Sequence, residues 1–214
     1  MAGFWEVLRE MSERSEHWDD VYQRRSQSEV SWYQREARMS LDLIDACGCA
    51  RAAAIVDVGA GASTLVDGLL ARGFDDITLV DVAESAFAQT RQRLADEQVT
   101  YVVSDVTAWR PMRSYDVWHD RAVYHFLTDP VERAAYREVL ARAVPEGGHV
   151  IIGTFALDGP ERCSGLAVRR YSAATLADEL VGPLWPIESR AETHVTPSGA
   201  SQSFVFVRFK RVSP

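Results

Sequence analysis

Asparagine is absent from this 214-residue chain, so it holds no N-glycosylation sequon. Lysine occurs once, at Lys210, and arginine supplies the rest of the 23 basic residues. Against 31 acidic residues these leave a formal net charge of −8. An acidic chain without a basic stripe is a poor match for a phosphate backbone, so no nucleic acid is expected as a partner. Cysteine is scarce: Cys47, Cys49 and Cys163 are an odd set of three and make no disulfide framework. Cys47 and Cys49 lack a second ligand pair at suitable spacing, so no metal is expected. No apolar run approaches the ~20 residues of a membrane span. The N-terminal stretch is charged throughout, without the apolar core of a signal peptide. The expectation is a cytoplasmic protein with no membrane contact. What is present is ordinary for a globular chain: 47% hydrophobic and 25% charged residues. At about 150 residues per domain, the length suits a single domain spanning 1–214.

From Ala53 onward, short β-rich runs alternate with helical patterns. Strands are expected over 54–58, 77–81, 100–104, 115–120 and 149–155. Helices are expected over 63–72, 84–97 and 130–144, the last opened by Pro130 and striped by Val131, Ala135, Val139 and Ala143. Strand and helix alternating in this way imply βαβ units and a parallel sheet covered on both faces. After Phe155 the pattern changes. A polar loop over 158–170 leads to a short helix, 172–180, and then to two long strands, 185–195 and 202–212. The turn Thr196-Pro-Ser-Gly199 is too short for a parallel crossover, so these two strands form an antiparallel hairpin. Residues 1–50 place Trp18, Tyr22, Trp32 and Tyr33 among many charges, with helical patches over 4–10, 17–25 and 36–47. With few aliphatics they would struggle to hold a core alone. They are expected to form a cap across the carboxyl edge of a core sheet that spans 53–212.

Glycines follow the first strand in Asp57-Val-Gly59-Ala60-Gly61. They let the backbone turn tightly and approach a ligand with no Cβ in the way. The dinucleotide fingerprint needs a third glycine where Thr64 stands, and a phosphate loop needs Gly-Lys-Ser/Thr, so neither applies. Asp81 ends the second strand, about 20 residues on, where a carboxylate accepts from both ribose hydroxyls. Asp105 follows the third strand. Three strands ending at or near an acid line one rim with carboxylates, though aspartate also starts turns and caps helices.

These residues resemble the first three motifs of the class I S-adenosylmethionine-dependent methyltransferases. The resemblance covers 53–212 and implies a doubly wound, Rossmann-like, seven-stranded sheet. Its order would be 3-2-1-4-5-7-6, mostly parallel, ending in the antiparallel hairpin. It implies S-adenosyl-L-methionine as cofactor and S-adenosyl-L-homocysteine as product. Gly59, Ala60 and Gly61 would pass beneath the methionine part, and Asp57 would organise its ammonium end. Asp81 would hold the ribose hydroxyls and Val82 would pack on the adenine. Asp105 would accept from the adenine amino group, with the Val106 amide near a ring nitrogen. Ser63 stands where many members have a third glycine, a small departure that suits a helix N-cap.

The fourth strand ends in His119-Asp120, where that family places catalytic or acceptor-facing residues. The Asn/Asp-Pro-Pro-Tyr/Phe sequence of amide- and exocyclic-nitrogen methylating members is missing. His119 and Asp120 are candidates for general base and orienting acid. The alternative is that one of them lies under the rim and satisfies local hydrogen bonds; for His125 a structural role is expected. Asp120 is also a candidate contact of the cofactor's amino-acid end. Tyr22, Trp32 and Tyr33 are candidates to close over a sulfonium cation, which aromatic faces hold well, or else to form the cap's own core. Arg162, Arg169 and Arg170 are candidates to attract a carboxylate-bearing acceptor. The expected activity is methyl transfer to a small-molecule acceptor. A lysine-methylating branch with a similar Trp-Asp-x-x-Tyr start makes a protein acceptor the second reading. A non-catalytic module binding the cofactor is the third. Oligomeric state is not specified by these patterns.

Overall fold

The computed structural model describes residues 2–94 and 99–213, with side chains described from residue 13 onward. Counting the strands of the main sheet, β1 is Ile55–Val58, β2 Ile77–Asp81, β3 Val99–Val103, β4 Val117–Arg121, β5 His149–Phe155, β6 Leu184–Val195 and β7 Ser201–Arg211. They form one seven-stranded sheet in the order β3-β2-β1-β4-β5-β7-β6. The first five run parallel; β7 lies antiparallel to both β5 and β6. Among the described residues the α-helices are α1 Ala2–Arg24, α2 Arg38–Asp45, α3 Leu65–Ala71, α4 Ala88–Arg93, α5 Pro130–Ala143 and α6 Ala173–Leu180. This is the doubly wound sheet, closed by a hairpin, that the sequence pattern implies. No helix among the described residues is long and apolar enough to cross a membrane.

The central strands are apolar on both faces because both are covered. Val56, Val58, Trp118, Val150 and Ile152 pack on one face with Tyr136 and Leu140 of α5. Ile55, Val117 and Ile151 pack on the other with Leu41 and Ile44 of α2 and Leu65 of α3. Local signals set the helix ends. Asp129 caps α5 by accepting from the Val131 N–H at 2.7 Å, with Pro130 as its first residue. Ser172 caps α6 by accepting from the Thr175 N–H.

Five details differ from expectation. The two helical patches at the N-terminus are one helix, α1. The third, α2, is not on the rim but packs into the core beneath the sheet. The buried side of α5 is Arg133, Tyr136, Val139, Leu140 and Ala143, while Val131 is 69% exposed. Tyr136 turns the helix this way, since its ring fits against Trp118 and Tyr124. The loop 158–170 contains a small antiparallel ribbon, Arg162–Cys163 against Leu166–Ala167. The helix expected over 84–97 is a 3-10 turn, Glu84–Phe87, followed by α4, and its last residues lie outside those described.

Gly153 of β5 faces Phe206 of β7, and a Cβ there would stand 2.4 Å from the buried Phe206 ring. Gly153→Val should therefore overpack this seam and cost about 1–3 kcal/mol. Urea denaturation checks this, and an unchanged midpoint would show the β5–β7 seam to be loose.

Candidate functional site

The carboxyl ends of β1, β2 and β4 and the loop after β3 each carry an acid, and each acid holds backbone or a neighbour in place. Asp81 accepts from the Gly61 N–H at 2.9 Å and from the Ala83 N–H at 3.0 Å. Burial is the main influence on its carboxyl and pushes the pKa up to about 6, against the lowering effect of those N–H donors. Asp105 accepts from the Thr107 N–H at 2.8 Å and from Arg14 Nη1 at 2.6 Å. Arg14 also pairs with Glu132, and Ser15 donates to the Val82 carbonyl at 3.1 Å. These contacts seat α1 across the rim.

The glycines are required where they stand. Gly59 has φ +67°, and a Cβ on it would lie 2.0 Å from Val123 Cγ2; Gly61 has φ +48°, and its Cβ would meet the Tyr22 hydroxyl at 2.3 Å. The turn after β4 and the aromatic side of α1 thus both press onto the glycine loop.

Two cavities result. The larger, about 760 Å³ with its open mouth, is lined by Gly59, Asp81, Val82, Asp105 and Val106 on the sheet side. Tyr22, Trp32, Trp18, Phe126, Arg121 and Cys163 line it from the other side. The rings are mutually packed, with Trp18 5.2 Å from Phe126 and 5.5 Å from Trp32. The smaller cavity, about 520 Å³, is lined by Asp57, Gly59, Ala60, His119, Ser40 and Gln34, with Trp32 and Tyr33. Gly59, Trp32 and Arg121 line both, so the two meet there. Gly61 and Asp120 line neither.

His119 and Asp120 point to opposite faces, as neighbours on a strand must. Asp57 stands beside His119 in the parallel register of β1 and β4. Asp57 Oδ1 lies 2.7 Å from His119 Nδ1, and Ser40 Oγ lies 2.8 Å from Nε2. All three residues are buried, so both ring nitrogens are engaged away from solvent. Asp120 is fully buried on the α5 face. It accepts from the Val123 N–H at 2.9 Å, the Tyr124 N–H at 3.1 Å and the Tyr136 hydroxyl at 2.7 Å. Burial raises its carboxyl to about 6. His125 is buried, and desolvation holds it neutral with a pKa of about 3; it accepts from the Phe155 N–H at 3.3 Å. Cys163 lines the larger cavity as a neutral thiol, pushed up to about 11 by burial.

The strand order is that of one fold family, and a partial sequence match agrees. Residues 55–148 match the family model described as a methyltransferase domain. The match spans under half of the chain, and over that stretch the chain is similar to a methyltransferase domain. Solved structures agree in fold. One comes from work on the conversion of a disulfide bond into a thioacetal group during echinomycin biosynthesis. It superposes with a TM-score of 0.74 at 18% identity, over 93% of this chain and 92% of that one. The 1,6-didemethyltoxoflavin-N1-methyltransferase of Burkholderia thailandensis was solved with 1,6-didemethyltoxoflavin and S-adenosylhomocysteine. It superposes at 0.70 with 21% identity, over 99% and 90%. The N-methyltransferase NodS of Bradyrhizobium japonicum, in complex with S-adenosylhomocysteine, gives 0.68 with 16% identity, over 91% and 98%. No curated protein matches the chain in sequence.

Some residues at the mouth of the site were not singled out by sequence. Arg14 and Ser40 carry no local motif. Arg121 follows Asp120 directly and closes β4 beyond the two polar residues that drew attention. The loop arginines are occupied instead: Arg162 donates to the Gly165 carbonyl, Arg169 pairs with Glu179 at 2.7 Å, and Arg170 with Glu161 at 3.0 Å.

Tyr136 joins the domain's rim to α5, since its oxygen accepts from Trp118 Nε1 at 2.8 Å while donating to Asp120. Tyr136→Phe should leave the indole N–H unpaired and cost about 1–3 kcal/mol, with the melting temperature falling roughly 2–4 °C per kcal/mol. Calorimetric melting of the purified protein checks this, and an unshifted transition would remove the network from the account.

Proposed function

We propose that this chain is an S-adenosylmethionine-dependent methyltransferase acting on a small-molecule acceptor. The observation that carries the reading is the meeting of two cavities at Gly59, Trp32 and Arg121, one lined by Asp81 and Asp105, the other by Asp57 and Ala60. Fold neighbours suggest the ligand class: two were solved with S-adenosylhomocysteine, and a glycopeptide N-methyltransferase with sinefungin.

The residues fit that cofactor. Asp81 is a buried acceptor whose chain direction already faces the larger cavity, suited to ribose hydroxyls. Val82 and Val106 offer apolar contact to a base, and Asp105 an acceptor for its amino group. Gly59 and Ala60 line the cavities with backbone and little side-chain bulk. Asp57 and Ala60 line the space for the amino-acid end. Tyr22 and Trp32 present ring faces and edges for a sulfonium. When bound, the cofactor supplies an activated methyl group.

The protein's own contribution is then orientation, exclusion of water and a low-dielectric wall, with proximity worth up to ~7–11 kcal/mol in favourable cases. We assign His119 to positioning rather than to proton removal, because Asp57 and Ser40 take both its nitrogens and a base must reach the proton it abstracts. Asp120 positions the turn 122–124, whose N–H groups it accepts from. This turn presses Val123 on Gly59 and so shapes the loop that meets the cofactor. The aromatic-walled cleft beneath α1 favours a small acceptor over a protein side chain. A non-catalytic binding module would share the whole site, and transfer of labelled methyl to any acceptor separates the two. A cytoplasmic location is part of the same proposal.

Ribose hydroxyls donate to an ionised carboxylate. Asp81 holds its proton up to about pH 6, so cofactor binding must displace that proton at lower pH. Affinity for S-adenosylhomocysteine should rise with pH and level off above about 6. Asp81→Asn should bind roughly ten- to hundred-fold more weakly, the scale of a hydrogen bond to a charged group, and should lose the acid limb. Titration calorimetry across pH checks both. Equal affinity in the variant would remove the ribose assignment.

A further inference from the structure

Arg121 ends β4 and follows His119 by two residues, so both side chains leave the same face of the sheet. Its side chain is 10% exposed. Nη1 donates to the Trp32 carbonyl at 3.1 Å. Nε and Nη2 are buried and find no hydrogen-bond partner among the described residues. Glu192 of β6 faces it with Oε2 3.9 Å from Nε, beyond hydrogen-bond reach, and that oxygen is also without a donor. A guanidinium keeps its charge in proteins and brings five donors in a fixed fork. Burying it with two nitrogens unpaired is strongly unfavourable unless a ligand supplies acceptors.

The guanidinium lies over the Phe204 ring, 4.5 Å from its centroid. Phe204 belongs to β7, so this charge sits over the β5–β7 half of the sheet, away from Asp81 and Asp105. The backbone bends sharply at the next residue. Ala122 has φ 71°, a left-handed conformation that alanine rarely adopts, and its N–H donates to the Gly153 carbonyl at 2.8 Å. Strain of this kind persists where the surrounding structure holds a functional group in place.

This step rests on the methyltransferase reading. Under it, the junction that Arg121 lines also receives the cofactor's sulfur. Glu192 offsets the guanidinium charge through a long ion pair but gives Nε no hydrogen bond, so Nε and Nη2 still lack acceptors that a planar oxyanion would supply together. We propose that Arg121 is the acceptor-recognition residue and that the acceptor is a small planar molecule bearing a carboxylate or another acidic oxyanion. The planarity follows from Trp18, Trp32 and Phe126, whose rings wall the same cavity.

The test uses benzoate and its neutral counterpart benzamide as probes, titrated into the full chain saturated with S-adenosylhomocysteine. Wild-type protein should bind benzoate at least about tenfold more tightly than benzamide, the lower range for a charge-assisted pair. Arg121→Gln should lose that preference, and Arg121→Lys should keep part of it. The affinity of Arg121→Gln for S-adenosylhomocysteine should stay within about threefold of wild type. Absence of the preference in wild-type protein that does bind S-adenosylhomocysteine overturns the proposal, whether or not the variants fold. A loss of S-adenosylhomocysteine affinity of about tenfold or more in folded Arg121→Gln also overturns it, since the guanidinium then holds the cofactor's own carboxylate. Wild-type protein that binds no S-adenosylhomocysteine overturns the methyltransferase reading itself.

Discussion

The carboxylate of Asp81 ties the glycine loop to the end of β2. One oxygen accepts from Gly61, twenty residues earlier, and the other from Ala83 just beyond the strand. Everything at the rim depends on such contacts. Loops at the carboxyl edge of a parallel sheet have no ladder to complete, and their N–H groups must be paired by something. Here aspartates do it: Asp81 for the glycine loop, Asp120 for the turn after β4, Asp105 for the turn after β3. The same carboxylates that a ligand would use have already fixed the shape of its site. Burial, which raises Asp81 and Asp120 toward pH 6, is the cost of that arrangement.

A second consequence concerns chemistry. The two adjacent residues at the end of β4 serve opposite faces. His119 is clamped between Asp57 and Ser40, while Asp120 is enclosed by the turn and Tyr136. Neither arrangement leaves a group free to carry protons to and from an acceptor. An activated methyl donor makes little demand for such a group. What the site offers instead is a rigid floor, aromatic walls and one buried cation. Under the proposed reading, the acceptor's own charge state becomes the property on which selection acts.

Much of this was legible in sequence, for physical reasons. Strands covered on both faces read as continuous apolar runs, and β1, β2 and β5 are of that kind. The turn 196–199 is too short for anything but a hairpin. Glycines and acids at strand ends stand in local sequence, so the loop and rim could be placed. Other features depend on neighbours far along the chain. That Asp57 meets His119 follows from the pairing of β1 with β4 in one register, across 62 residues. The rotation of α5 follows from the fit of Tyr136 against Trp118, which no stripe of Val131 and Ala135 foretells. The continuity of α1 is hidden because its sequence is charged along its length and draws its order from the rim it crosses. Arg121 was concealed for a similar reason. Its importance lies in what surrounds it, Phe204 and Glu192 from the terminal hairpin, rather than in its own motif.

The central claim is that the cofactor spans the two cavities, with its sulfur where they join. A crystal structure of the protein with S-adenosylhomocysteine tests it most directly. The account predicts the ribose on Asp81, the amino-acid end beside Asp57 and Ala60, and the sulfur at the junction of Gly59, Trp32 and Arg121. A ligand bound with its sulfur elsewhere, or with its ribose away from Asp81, would contradict it.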